Sequence, residues 1–277
     1  MIVIGTFQEL VIVRQQKQGM YLEDTDKNEV LLPNKYIEHE FQIGDHLEVF
    51  VYLDQQQRPI ATTRIPYCQV NSFAFLRCVS TTKVGAFLDW GLEKHLFVPF
   101  AQQVQKMREG EFYLVYVYLD AQSKRLVASS RTNSFLSNQD TSALEINQRV
   151  ELIASHPSTS GWNMIVESKY KGLAYHDEIY CKISVGDRLE GSIKKIREDG
   201  KIDLYLQAVG VDAIDEFAQL ILDELEANDG YLDITDKTDA DRIRTVFGLS
   251  KKSFKKGLGR LFKKRQVQIL ENGIKLA

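Results

Sequence analysis

The chain has 277 residues, of which 44% are hydrophobic and 26% charged, as in an ordinary folded protein with a buried core. The formal net charge is −3, so the total charge alone does not indicate a polyanionic partner. No apolar run is long enough to span a membrane, and three cysteines without a CxxC pair suit a reducing compartment. We therefore expect a cytoplasmic protein of roughly two to four domains that does not bind membranes.

An internal repeat organises the first part of the chain. Residues 19–36 and 85–100 both contain a glycine followed by an aromatic residue, a leucine and an acid, and both continue to an apolar run closed by proline. In each copy a second glycine stands 25 residues after the first, and Gly161 to Gly186 repeats that spacing in a third, fainter copy. Three copies in register indicate one structural unit used three times.

Five short strands are predicted for each copy. In the second copy they are expected at 73–79, 85–90, 95–100, 112–119 and 125–130. A short helical or irregular link separates the third strand from the fourth, and a polar turn joins the fourth to the fifth as a hairpin. Five antiparallel strands with this link are the plan of an OB-fold barrel.

The second strand of the second copy carries a ring on its polar face. Because successive side chains of a strand point to opposite faces, Leu88 and Trp90 share one face, and Phe87 shares the other with Asp89. The face with the acid is expected in solvent, so Phe87 is predicted to be exposed. An exposed ring can stack an unpaired base, which is worth about 1–3 kcal/mol. The alternative is that strand twist or a bulge turns the ring inward.

The repeat resembles the S1 domain, an OB barrel that binds RNA. The resemblance rests on the Gly-Ala-Phe-Leu motif, the turn, the apolar third strand, and the Gly-Asp or Gly-Glu before the long fourth strand. It is good for the second copy and fair for the first and third, and it covers residues 1–208. It implies stacking rings at Phe87 and at Tyr21, which shares a face with Glu23 in the first copy, and Phe97 is a further candidate beside Phe87.

The S1 resemblance also assigns basic residues to the ends of the fifth strands. Arg64 and Arg131 stand there, and each could hold a phosphate or stack on a base. The alternative is a solvated strand end. S1 domains usually carry a histidine on the third strand, where this chain has Pro33 and Pro99, which donate no hydrogen bond.

The third copy departs most from the S1 pattern. Asn163 replaces the exposed ring, and Gln207 stands near the place of the terminal arginine. This copy is expected either to use Tyr175, His176 and Lys169 for RNA or to serve mainly as a spacer.

From about Val211 the hydrophobic period changes from two to 3.6, which is typical of helices. The first helix is predicted to bury Ile214, Phe217, Leu220, Ile221 and Leu225. A second helix is expected at 238–247, with Thr238 as its N-cap and Gly248 as its stop, and a third from an N-cap at Ser250 to about Lys264. Asn272-Gly273 between two apolar runs predicts a closing hairpin. Three helices followed by a hairpin resemble a winged-helix domain.

Charge is polarised within this last segment. Residues 211–240 carry ten acids and one lysine, whereas residues 241–277 carry eleven basic residues and two acids. On the third helix the predicted buried face comprises Phe254, Leu258, Leu261 and Phe262. The opposite face comprises Lys252, Lys256, Arg260 and Lys263. In winged-helix proteins this helix can enter a groove of nucleic acid. The alternative is the solvated face of a surface helix.

The expected fold is mainly β with a C-terminal α/β part: three tandem S1-like OB-fold β-barrels followed by a winged-helix domain. The expected domain ranges are 1–66, 67–138, 139–210 and 211–277. This order of domains resembles the bacterial conserved virulence factor B family over the whole chain. The resemblance implies a non-enzymatic, cytoplasmic protein that binds single-stranded RNA and regulates gene expression after transcription. No nucleotide-binding loop, nucleophile motif or metal-ligand spacing is present in the sequence, so neither a cofactor nor a metal is expected.

Two other functions stay open. The winged helix could bind duplex DNA, which would make the protein a transcriptional regulator with the barrels as protein-binding modules. Alternatively, the protein could be an adaptor for a ribonuclease, another RNA-processing protein or the ribosome, with the acidic residues 211–240 facing that partner.

Overall fold

The structure, a computed structural model, describes residues 1–37, 40–176, 179, 182–206, 210–249 and 251–277, with the backbone alone for 210–216 and 252. The chain separates into two compact units. Unit 1 comprises Met1–Leu136, and unit 2 comprises Ser137–Ala277. Unit 1 contains two closed β-barrels, and unit 2 contains a third barrel and a helical domain.

Barrel 1 closes five strands in the order β1-β2-β3-β5-β4. The strands are β1 (Thr6–Gln16), β2 (Gly19–Glu23), β3 (Glu29–Pro33), β4 (His46–Leu53) and β5 (Pro59–Thr62). Alternate residues such as Leu22, Leu32 and Val49 fill the interior and are fully buried. The parallel pairing of β3 with β5, through Leu31 and Ile60, closes the barrel.

Barrel 2 repeats this plan. Its strands are β6 (Ser72–Thr81), β7 (Gly85–Asp89), β8 (Leu96–Pro99), β9 (Phe112–Leu119) and β10 (Leu126–Ser129). The third strand ends one residue earlier than predicted, because Phe100–Gln102 form a short 3₁₀ helix. The parallel pairing of β8 with β10, through Phe97 and Val127, closes this barrel.

The two barrels of unit 1 share a core. Because Val49 and Val51 face the interior of barrel 1, the rings between and after them, Phe50 and Tyr52, point outward. Both rings pack edge-on against Trp90 of barrel 2, with centroids 5.7 Å and 6.3 Å away. Large buried aromatic surfaces contribute strongly to packing, so this contact holds the two barrels together.

Barrel 3, in unit 2, again closes five strands with a parallel pairing of its third and fifth. The strands are β11 (Arg149–Pro157), β12 (Gly161–Val166), β13 (Tyr170–Tyr175), β14 (Arg188–Ile196) and β15 (Ile202–Leu206). Gly161 lies where β12 approaches β13 so closely that a Cβ atom would meet the carbonyl oxygen of Ala174 at 2.0 Å. A glycine is therefore required at the start of this strand.

The rest of unit 2 is a winged-helix domain. Its elements are α1 (Gly210–Ala227), β16 (Tyr231–Leu232), α2 (Ala240–Phe247), α3 (Lys251–Lys263), β17 (Val267–Ile269) and β18 (Ile274–Leu276). The predicted hairpin is β17–β18, and β16 adds a strand that sequence analysis missed. Three OB-like barrels followed by this domain confirm the predicted fold class.

The predicted N-cap of the second helix is wrong. The carboxylate of Asp239, rather than Thr238, caps α2 by accepting a hydrogen bond from the Asp241 N–H at 3.0 Å. Thr238 is engaged instead in the preceding turn, where its hydroxyl accepts from the Thr235 N–H. Gly248 ends α2 as predicted, with a φ of 67°. The expected N-cap at Ser250 lies outside the described residues.

Leu220 and Phe262 were expected in the core but are 41% and 55% exposed. For Phe262 the reason lies in the contact between α1 and α3. Gly257 packs so closely on α1 that a Cβ atom would lie 2.9 Å from the Cβ of Phe217. The buried face of α3 is therefore centred near this glycine, and Phe262 falls outside it. The side chain of Ile214 lies outside the described residues.

Candidate nucleic-acid interface

Phe87 and Phe97 form an aromatic pair on the outer face of barrel 2. They are directly opposite each other on β7 and β8, with ring centroids 5.1 Å apart and planes at 40°. Their neighbours Ala86, Leu88 and Val98 are fully buried inside the barrel. Both rings are half-buried, so each keeps part of its surface open to a ligand.

These two rings, called the ring pair below, line a groove of about 560 Å³. The groove lies within unit 1, between barrel 2 and the turn that joins β4 to β5 of barrel 1. Its side chains include Tyr52, Gln57, Phe87, Lys94, Phe97 and Arg125. A concave, largely apolar site with a few polar groups is typical of a ligand-binding site.

Two cations and a histidine line the groove beside the ring pair. Lys94 donates a hydrogen bond from Nζ to the backbone carbonyl of Asp54 at 2.7 Å. Partial burial, and after it the nearby charge of Arg125, lower the pKa of Lys94. Arg125 and His95 are exposed. Cations beside stacking rings are what a single nucleic-acid strand requires, since its phosphates are negative and its bases stack.

Sequence analysis missed Lys94 and Arg125. Arg125 lies between the hairpin turn and β10, directly before the first residue of this strand, which pairs with β8 at Phe97. That pairing could have been inferred from the OB-fold plan, and it would have placed this arginine near the ring pair. The contribution of Lys94 depends on the packing of barrel 1 against barrel 2, for which no sequence signal was found.

In barrel 1 the equivalent ring is covered by another side chain. Tyr21 lies on the outer face opposite Leu31, as Phe87 lies opposite Phe97. The guanidinium carbon of Arg14, on β1, lies 3.5 Å from the centroid of the Tyr21 ring. Arg14 also forms an ion pair with Glu29 at 2.6 Å. The residue of barrel 2 that corresponds to Arg14 is the small Ser80, which pairs with Phe87.

Neither predicted terminal arginine lines the groove. Arg64 lies 3.9 Å from Glu93 and 5.3 Å from the ring of Tyr36, at the contact between barrels 1 and 2. Arg131 is exposed, and its Nε donates to the backbone carbonyl of Ala101 at 2.8 Å. The structure therefore brings together Phe87 and Phe97 but places both arginines elsewhere.

In barrel 3 the predicted side chains bond to the barrel itself. The hydroxyl of Tyr175 contacts Arg197 and lies 3.5 Å from Asp203, a carboxylate that is 7% exposed. His176 Nε2 lies 3.2 Å from the carbonyl of Ser158. Lys169 places its ammonium 4.9 Å from the ring of Tyr170. Gln207, which stands near the place of the terminal arginine, lies outside the described residues.

In the winged helix, three of the four side chains of the predicted basic face are described. Lys256 and Lys263 are exposed on α3, and Arg260 is half-buried. The side chain of Lys252 lies outside the described residues. Lys255, which sequence analysis did not select, lies 3.5 Å from Asp236 and so has part of its charge balanced. Among the described helices, none combines the length and the apolarity that a bilayer crossing requires.

Comparison with known proteins finds two matching family models. The model of the S1 domain matches residues 4–64, and the model of the CvfB-like winged helix domain matches residues 219–276. A multidomain protein with nucleic acid binding domains from Streptococcus pneumoniae has a solved structure, is 23% identical, and covers 99% of this chain and 98% of its own. Its TM-score with this structure is 0.44.

Similarity to curated proteins extends along the whole chain. YitL of Bacillus subtilis is 28% identical over 272 residues, which cover 95% of this chain and 90% of YitL. Conserved virulence factor B of Staphylococcus epidermidis is 25% identical over 277 residues, which cover 96% of this chain and 92% of that protein. The S1 domain, the CvfB-like winged helix and this full-length similarity confirm the predicted resemblance to the conserved virulence factor B family.

Proposed function

We propose that this protein binds single-stranded RNA, without catalysing a reaction on it, and regulates gene expression after transcription in the cytoplasm. The observation that supports this function best is the ring pair in a groove with Lys94 and Arg125. The rings would stack unpaired bases, and the cations would contact the phosphates. A base pair within a duplex does not offer its faces to such a site, so single strands are favoured.

In this proposal the winged helix contributes further positive charge to RNA binding. Lys256, Arg260 and Lys263, together with Lys252, would contact phosphates. The barrels alone are not basic, since residues 1–210 carry 23 Lys and Arg against 26 Asp and Glu. Weak sites on one chain gain from effective concentration, so the two regions together would bind more tightly than either alone. Binding is expected to weaken steeply with salt, because phosphate contacts release counterions.

The test is the binding of a labelled uridine hexamer to the full chain, followed by fluorescence anisotropy. Phe87→Ala is expected to weaken binding about tenfold, the loss of one stacking contact. The matched control is Phe112→Ala, which removes a ring that is 54% exposed on the same barrel, outside the groove, and stacked on Phe75 at 5.5 Å. Equal binding by wild type and Phe87→Ala would contradict the proposed site.

A second function, binding of duplex DNA, is favoured by the exposed Lys256 and Lys263 on the helix that enters a groove in other winged-helix proteins. Comparing a duplex with a single-stranded RNA of equal length at one salt concentration separates the two functions. Tighter binding to the duplex, with no effect of Phe87→Ala, would favour the transcriptional regulator.

A further inference from the structure

The second wall of the groove belongs to barrel 1. The turn between β4 and β5, residues 54–58, contributes Gln55 and Gln57 to the lining of the same groove as the ring pair. A base stacked on Phe87 or Phe97 would therefore have its edge near this turn. Stacking does not distinguish bases by their hydrogen-bonding groups, whereas a side-chain amide does.

The turn is held in a fixed shape, as a side chain that recognises a base edge requires. One carboxylate oxygen of Asp54 accepts hydrogen bonds from the N–H groups of Gln56 and Arg58 at 2.8 Å and 2.9 Å. The other oxygen accepts from the Arg58 guanidinium. Burial acts to raise the pKa of Asp54, yet these hydrogen bonds hold it below its ordinary value. Lys94 ties the carbonyl of the same residue to barrel 2.

The side-chain amide of Gln57 contains a hydrogen-bond acceptor without a partner. Its side-chain oxygen is buried and has no hydrogen-bond partner within the described part of the chain. A buried acceptor without a donor costs free energy, which a ligand N–H could recover. The terminal torsion of glutamine is broad, so a small rotation can turn this oxygen toward a ligand in the groove.

The backbone at Gln57 decides how its side chain can be tested. Its φ is 65°, a conformation in which glycine or asparagine is preferred. Glycine therefore fits this position without strain, so Gln57→Gly removes the side chain and leaves the turn its shape.

We propose that Gln57 selects the base that stacks on the ring pair, favouring a base with an exocyclic amino group. This inference rests on the proposed function. The amino groups of cytosine and adenine each carry two N–H donors, and one would donate to the Gln57 oxygen. Uracil offers a single N–H, and the carbonyl oxygens on either side of it would repel the unpartnered Gln57 oxygen. Specificity for the base stacked on barrel 2 thus comes from barrel 1.

The experiment compares labelled hexamers of cytidine and of uridine, which have the same ring size. The full chain is expected to bind the cytidine hexamer about tenfold more tightly, within the discrimination of one good contact. Gln57→Gly removes the amide at a backbone conformation that glycine accepts, and it is expected to bring the ratio of the two affinities close to one. The matched control is Gln56→Gly, which changes an exposed glutamine of the same turn that does not line the groove and should keep the ratio.

Three outcomes decide the question. The inference is overturned if Gln57→Gly keeps the wild-type ratio of the affinities for the two hexamers. It is also overturned if the wild type binds both hexamers equally tightly. If Phe87→Ala still weakens the binding of both hexamers in those cases, the proposed function stands and only the selectivity of Gln57 is wrong. If Phe87→Ala has no effect on either hexamer, the proposed groove site itself is wrong. Thermal unfolding of both glycine variants, followed by circular dichroism, checks that they are folded.

Discussion

Trp90 of barrel 2 packs edge-on against Phe50 of barrel 1, with ring centroids 5.7 Å apart and planes at 77°. The indole N–H of Trp90 also donates to the carbonyl of Lys94 at 2.7 Å. The same side chain therefore joins the two barrels, lines the groove and holds the segment that carries Lys94. The Trp90 side chain therefore contributes both to the stability of unit 1 and to the shape of the groove.

Trp90→Ala should destabilise unit 1 by about 3–5 kcal/mol, the usual cost of removing a fully buried large aromatic side chain. It should also weaken RNA binding, because the groove loses a wall. Urea unfolding followed by circular dichroism measures the stability. The control is Trp162→Ala, which removes a half-buried tryptophan of barrel 3 and should cost less. Equal destabilisation by the two variants would contradict the central role of Trp90.

Ser80→Arg should weaken the binding of a uridine hexamer about three- to tenfold, although it adds a positive charge. The arginine would cover Phe87 as Arg14 covers Tyr21, and a stacking surface would be lost. Fluorescence anisotropy measures the affinity. Asn133→Arg adds the same charge at an exposed site away from the ring and should not weaken binding. Tighter binding by Ser80→Arg would show that charge, rather than ring exposure, controls the site.

Arg125→Ala should lower the slope of log affinity against log salt concentration by about one, as expected when one phosphate contact is lost. Arg131→Ala should change the slope less, because its guanidinium is bound to the Ala101 carbonyl and does not line the groove. Affinities of the full chain measured at several salt concentrations provide both slopes. A larger change for Arg131→Ala would place the phosphates along the end of β10 instead.

Strand alternation alone predicts the outer position of Phe87, since the residues on either side of it are apolar and fill the barrel. Alternation also shows that Phe50 and Tyr52 point out of barrel 1. It does not reveal what covers them, because Trp90 is 38 residues or more away in the chain. The covering of Tyr21 by Arg14 likewise depends on a pairing between strands, which a single strand pattern does not contain.

The sequence by itself determined the repeat, the barrel plan and the helical domain, because these follow from local periodicity, glycine positions and turn residues. Only the tertiary structure decided which face of each barrel is open. The packing of barrel 1 on barrel 2 brings Gln57 and Lys94 beside the ring pair. The close approach of α1 and α3 at Gly257 leaves Phe262 exposed. Such contacts join residues far apart in the chain, so they depend on shape and packing that no local pattern encodes.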